Sequence, residues 1–205
     1  VSDDAYLSAI NSAIKGGAKV VVTPGFLFAP AVGKAQNIYP EINFIIIDSE
    51  PEGGAAGNAV GVVYADEQAG YLAGYAAVKE GYTKLGFMGG MAVPAIVRYG
   101  FGYVQGANDA AKELGIQVEM KYFYTGGFEA TPEWQAMSSS WYQSGTEVIF
   151  GCGGSLGNSV FAAAEQNSAK AIGVDVDQNS ESDTIITSAV KGLRESVNLI
   201  LGQHY

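Results

Sequence analysis

Apolar and polar positions change period in blocks along this chain. SDDAYLSAINSAIKGG sets Leu7, Ile10 and Ile14 behind Ser2 and two acids and stops at Gly16-Gly17, the pattern of an amphipathic helix with Ser2 as its cap. KVVVTPG then reads as a short buried strand. The alternation continues with a short helix near 29–38, a strand INFIIID ending at Asp48, a strand AVGVVY ending at Tyr64, and a helix from Asp66. A second series opens with the strand KLGFMGG, followed by a long helix from Val93 to Leu114, the strand QVEMKYFYTG and a helix started by Thr131-Pro132. The strand TEVIFGCG, a Gly-rich turn, the helix NSVFAAAEQN, the strands KAIGVDVD and TIITSAV and a closing helix KGLRESVNLILGQHY complete it.

Strands rich in β-branched residues that alternate with helices predict parallel sheets covered on both faces. Three such strands precede residue 84 and five follow it. The expected architecture is therefore α/β, two doubly wound parallel-sheet lobes: 1–82 a first, partial lobe, 83–190 a second, and 191–205 a helix leading back toward the first. The opening helix has no strand before it and the closing helix none after it, so the lobes are expected to be incomplete at both termini.

Composition narrows the function classes. Of 205 residues 48% are hydrophobic, with no continuous apolar run long enough to span a bilayer. Eleven basic residues against 21 acidic ones give a net charge of −10, the wrong sign for neutralising phosphates, so no nucleic-acid partner is expected. The single cysteine, Cys152, excludes an internal disulfide, and the single histidine, His204, close to the last residue, argues against a zinc cluster or a serine-type triad. No cofactor or metal is expected. The sequence begins at Val1 without an initiator Met or an apolar leader, so an export signal is expected to have been removed or to lie outside it.

Candidate binding chemistry gathers at predicted strand ends. Asp175 ends the run AIGVD, and a side chain at the carboxyl end of a parallel strand faces the crevice where open α/β sheets bind ligands; the plainer reading is a loop or capping aspartate. Asp177 fits a turn with Gln178 and Asn179. GCGGSLG lacks the lysine and the spacing of a phosphate loop. Gly153 and Gly154 read as either a close backbone approach to a ligand or a tight strand-to-helix turn. Gly70 and Gly74 read as a close helix–sheet contact, and Trp134, Met137 and Trp141, at helical spacing, as core.

The blocks VVTPGF, YPEINFIIID, NAVGVVYADEQAGYLAGYAA, LGFMGGMAVP, RYGFGYVQGA, GCGGSLGNSVFAAA, AIGVDVDQ and TSAVKGL, in this order, resemble the basic membrane protein family of bacterial substrate-binding lipoproteins. The resemblance covers nearly the whole chain. It implies a fold like that of ribose-binding periplasmic proteins, two lobes joined by a hinge with the ligand closed between them. It also implies a further strand and helix before residue 1, carrying a base-stacking aromatic, and further strands after residue 205.

The function so implied is delivery of a nucleoside, a purine in first place, to an ABC transporter permease. The protein would be extracytoplasmic and non-enzymatic, and would touch the membrane only through a lipid anchor absent from this chain. By the same resemblance Asp175 accepts hydrogen bonds from ribose hydroxyls, Asp48 is its counterpart in the first lobe, and Lys191 lies near the ribose, where an ammonium also offsets the aspartate charge. A purine needs flat apolar faces, for which Phe128 is the first candidate and Phe26 or Phe28 the second. The alternatives are a sugar-binding or ligand-sensing module of the same fold and, less favoured, a nucleoside-processing enzyme.

Overall fold

The computed structural model describes residues 2–204; Val1, Tyr205 and the side chain of His204 lie outside the described residues. The chain divides into two compact units, residues 1–64 with 193–205, and residues 65–192.

In the first unit α1 (Asp3–Lys15), β1 (Val20–Pro24), α2 (Ala29–Ile38), β2 (Asn43–Ile47) and β3 (Ala59–Val62) follow one another, and α7 (Leu193–His204) joins them from the far end of the sequence. The strands form a parallel sheet in the order β1-β2-β3. Ile10 of α1 and Ala31, Val32 and Ala35 of α2 cover Val21, Phe44 and Ile46. Ser2 stands at the cap position of α1, but its hydroxyl makes no capping bond; Asp3 and Asp4 in the first turn are what complement the helix dipole. A hydrogen bond between the Tyr64 and Ser196 hydroxyls, 2.6 Å, ties α7 to the end of this unit's third strand segment.

The second unit comprises α3 (Asp66–Lys79), β4 (Lys84–Gly89), α4 (Pro94–Leu114), β5 (Glu119–Tyr124), α5 (Pro132–Gln143), β6 (Val148–Cys152), α6 (Leu156–Asn167), β7 (Lys170–Asp175) and β8 (Ile185–Val190). Its five strands are parallel in the order β5-β4-β6-β7-β8. Because β4 pairs with both β5 and β6, the direction of winding reverses between β4 and β6, and a doubly wound sheet binds ligands at the carboxyl ends flanking such a reversal. Strand periodicity sends Leu85, Phe87, Val148 and Phe150 to one face, under α3 and α4, and Met88, Ile149 and Ala171 to the other, under α5 and α6. Trp134, Met137 and Trp141 are half-buried against this second cluster. Thr131 caps α5 by accepting the Trp134 amide at 3.3 Å.

Two expectations are corrected. The division falls at 64/65, not at 82/83, because α3 packs on α4 and on the second sheet. Gly70 and Gly74 accordingly serve a helix–helix contact, not a helix–sheet one. A Cβ on either would lie 2.2 Å from the Tyr99 carbonyl oxygen or 2.1 Å from that of Tyr103. The contact is reciprocal: on α4, Gly102 and Gly106 meet the carbonyls of Glu67 and Tyr71, where a Cβ would come within 2.0 and 1.9 Å. GYLAG and GYVQG are thus two halves of one joint, and side chains at the start of α3 are drawn against α4.

Candidate functional site

Asp175 is the last residue of β7 and adopts φ 68°; Asp48, directly after β2, adopts φ 64°. Left-handed backbone costs a residue with a Cβ about 1–2 kcal/mol and is tolerated best by Asn and Asp, so its recurrence at two strand ends is a local strain held by the surroundings. The hold is visible at both. The Asp48 amide donates to the Val62 carbonyl at 2.7 Å, and the Asp175 carbonyl accepts the Lys191 amide at 3.0 Å.

The Asp175 carboxylate keeps 38% of its side-chain exposure, yet its Oδ1 lies 3.1 Å from Lys191 Nζ. Lys191 itself is only 4% exposed at its side chain. Its ammonium is 3.5 Å from Asp66 Oδ1 and 5.4 Å from the centre of the Tyr99 ring, so two carboxylates and an aromatic face compensate a charge otherwise costly to bury. Tyr99 Oη donates to the Ala189 carbonyl at 3.3 Å and lies 3.5 Å from Asp175 Oδ1. Asp66, with no side-chain exposure, accepts Arg98 Nε at 3.1 Å and Nη2 at 2.8 Å, both on Oδ2. The result is a chain of alternating charge, Arg98, Asp66, Lys191, Asp175, that ends on the one carboxylate with substantial access to solvent.

Phe128 lies at the reversal point. It is half-buried on the core under α4, and a Cβ on Gly90, which follows β4, would come within 2.5 Å of its ring. Gly153, with φ 130°, and Gly154 follow β6, and Cβ atoms there would come within 3.0 Å of the Phe128 ring and 2.9 Å of its Cβ. The glycines therefore admit Phe128, a partner within the chain. The first free amide of α6 is also taken, since Leu156 N donates to the Phe128 carbonyl at 3.0 Å, which leaves little of a phosphate-loop reading.

In the first unit Phe26 begins a 3-10 turn, Phe26–Phe28, after β1 and is half-buried. Phe28 is committed to packing, its ring centroid 4.5 Å from that of Tyr6. Of the two, Phe26 is the one at the strand end without a place in the core. Asp177 holds its turn, accepting the Asn179 amide at 3.1 Å. The structure thus joins Asp175 with Lys191, and Phe128 with Gly153 and Gly154, in the second unit, and places Asp48 and Phe26 at the carboxyl edge of the first sheet.

Sequence reasoning missed Asp66, Arg98 and Tyr99. Asp66 reads in sequence only as the first residue of a helix; the available signal is that Arg98 is one of only 11 basic residues and stands in the apolar, Gly-rich first half of α4. Among the described residues no three His, Cys, Asp or Glu side chains converge as a metal site, and no helix is long and apolar enough to cross a membrane.

Comparison with known proteins bears on this arrangement. The "ABC transporter nucleoside-binding protein BmpA" of Lactococcus lactis subsp. cremoris is 34% identical over 182 residues, 84% of this chain and 50% of that protein. Basic membrane protein B of Borreliella burgdorferi is 29% identical, over 97% of this chain and 59% of its own length. The chain thus spans about half to three-fifths of these curated relatives. Among solved structures, ABC transporter solute-binding proteins from Aeropyrum pernix superpose with a TM-score of 0.79 at 25% identity, covering 91% of this chain and 55% of that one. A transcriptional activator of the comK gene from Bacillus halodurans, at 22% identity and TM-score 0.72, shares the fold. A family profile, that of PnrA-like ABC transporter substrate-binding proteins, matches residues 1–205. With every residue inside that match and the fold shared with solute-binding structures, the chain belongs to the Bmp family of PnrA-like ABC transporter substrate-binding proteins.

Proposed function

We propose that the protein carrying this chain is the extracytoplasmic solute-binding component of an ABC importer, that its ligand is a nucleoside, a purine nucleoside first, and that it releases this ligand unchanged to a membrane permease. The observation that carries the reading is the Asp175 carboxylate, accessible at the carboxyl end of a parallel strand and backed by the buried Lys191 ammonium. A carboxylate presents acceptors for two hydroxyl donors, and charge-assisted bonds are about twice as strong as neutral ones, which suits a ribose diol. Phe128, at the reversal of the sheet, supplies an aromatic face, and the name of the Lactococcus relative points to the same ligand class. Gly153 and Gly154 act by admitting Phe128, and Asp48 and Phe26 are proposed as ligand contacts of the first unit. Attachment to the membrane would be through a lipid anchor elsewhere in the protein.

The test is calorimetry on the full-length protein with inosine, guanosine, adenosine, ribose and hypoxanthine. Nucleosides are expected to bind far more tightly than ribose or free base. Equal affinity for ribose would replace this reading with a sugar-binding one, and free base appearing on incubation with phosphate would make the protein an enzyme.

A further inference from the structure

A lysine ammonium on a four-carbon stem has many rotamers, and one beside a ligand site is useful only if it is held in one direction. Lys191 is held by Asp66. The two oxygens of that buried carboxylate are divided: Oδ2 accepts Arg98 Nε and Nη2, at 3.1 and 2.8 Å, and Oδ1 faces Lys191 Nζ at 3.5 Å. The same ammonium then lies 3.1 Å from Asp175 Oδ1. Each member comes from a different element, Arg98 from α4, Asp66 from the first turn of α3, Lys191 from the segment after β8 and Asp175 from the end of β7.

We propose that Asp66, fixed by Arg98, is a positioning residue for the ligand site, which acts through Lys191 to set the direction and the hydrogen-bonding capacity of the Asp175 carboxylate; this rests on the reading of Asp175 as the acceptor of ribose hydroxyls. The physical content is a competition. Lys191 shared between two carboxylates leaves Asp175 electron-rich toward a hydroxyl donor. With Asp66 neutral, Arg98 keeps Glu67 at 3.9 Å, while the Lys191 ammonium loses the charge of one of its two carboxylates and draws more strongly on the Asp175 oxygens that the ligand needs.

The experiment measures inosine affinity by calorimetry in full-length wild-type protein, Asp66→Asn, Lys191→Met and the double variant, with 2′,3′-dideoxyinosine as second ligand and circular dichroism to verify folding. Asp66→Asn is expected to weaken inosine about tenfold, about 1.4 kcal/mol, while changing dideoxyinosine less than about twofold. In the Lys191→Met background it should add less than about twofold for either ligand. Arg98→Gln, at a side chain one-third exposed, is a gentler second variant that should follow the same pattern with a smaller loss. Equal losses with both ligands, or an undiminished loss in the Lys191→Met background, would reduce Asp66 to a structural residue and overturn the proposal. So would wild-type inosine affinity in a folded Asp66→Asn or Arg98→Gln. Wild-type protein that binds no nucleoside would instead refute the proposed function, and this inference with it.

Discussion

Two aspartates separated by one residue have opposite expected behaviour. Asp175→Asn preserves shape but exchanges one acceptor for a donor and removes one of the two carboxylate charges that face Lys191. A ligand hydroxyl that loses its acceptor costs about 1–3 kcal/mol, roughly one to two decades in affinity. The loss should be smaller for 2′-deoxynucleosides, which already lack one donor. Asp177→Asn leaves a side-chain oxygen to accept the Asn179 amide and is expected to leave affinity within about twofold. Calorimetry on the two variants checks both, and equal losses would mean that Asp175 shapes its turn without touching ligand. Asp175 was legible because it ends an apolar strand. Asp66 was not, because its meaning lies in Arg98, 32 residues on, and in Lys191 beyond β8.

Among elements, the joint between α3 and α4 is the strictest. Gly102→Ala would put a methyl 2.0 Å from the Glu67 backbone oxygen, a clash that only a shift of one helix relieves. Overpacking of this kind costs about 1–3 kcal/mol, and we expect a loss near the upper end in urea unfolding. Since the shift moves the start of α3, where Asp66 sits, inosine affinity should fall as well. A second tie joins the starts of β4 and β6. Burial of the Glu147 carboxylate works against its ionisation, but the Thr83 and Lys84 amides, donating at 2.7 and 2.9 Å, outweigh it and hold its pKa below the usual carboxylate range. A depressed folded pKa means stability that is present above the unfolded value, about 4.3, and lost as pH falls through the lower folded one. Wild type should therefore exceed Glu147→Gln in denaturant midpoint at pH 7 and approach it below about pH 4, as a midpoint series against pH would read.

For the whole molecule the relevant observable is linkage between binding and stability. A ligand that binds only the native state stabilises it by about 2.7 kcal/mol at a hundredfold excess over Kd. Inosine is thus expected to raise the melting temperature of the full-length protein, and ribose to do much less. The curated relatives are longer than this chain, which spans 50% of one and 59% of another, so full-length protein is the proper subject of every affinity measurement named above. The chain passes between its two units near 64/65 and 192/193, and Asp66 and Lys191 stand next to those crossings. Neither crossing carries a run of Gly, Pro or Ser that would mark it as a linker.

What the sequence determined by itself was the list of elements and their order. Short runs rich in Val and Ile such as VVVTP and NFIII read as buried strands by their length, β-branching and flanking turn residues, and the longer segments between them, with apolar residues at helical spacing, as helices, so eight strands and the parallel α/β class are legible in local pattern. It also carried the strand-end aspartates, because the end of an apolar run is a local fact. Only the tertiary structure decided what those elements touch. Whether GYLAG meets a sheet or a helix depends on GYVQG thirty-two residues later, and α3 belongs to the second unit because that joint exists. Gly153 and Gly154 look the same in sequence whether they admit a ligand or Phe128. Asp66, Lys191 and Asp175 become one charge cluster only when α3, β7 and the end of β8 are brought together. Hydrophobic periodicity records which face of an element is covered; it does not record the partner, and a buried ion pair is a property of partners.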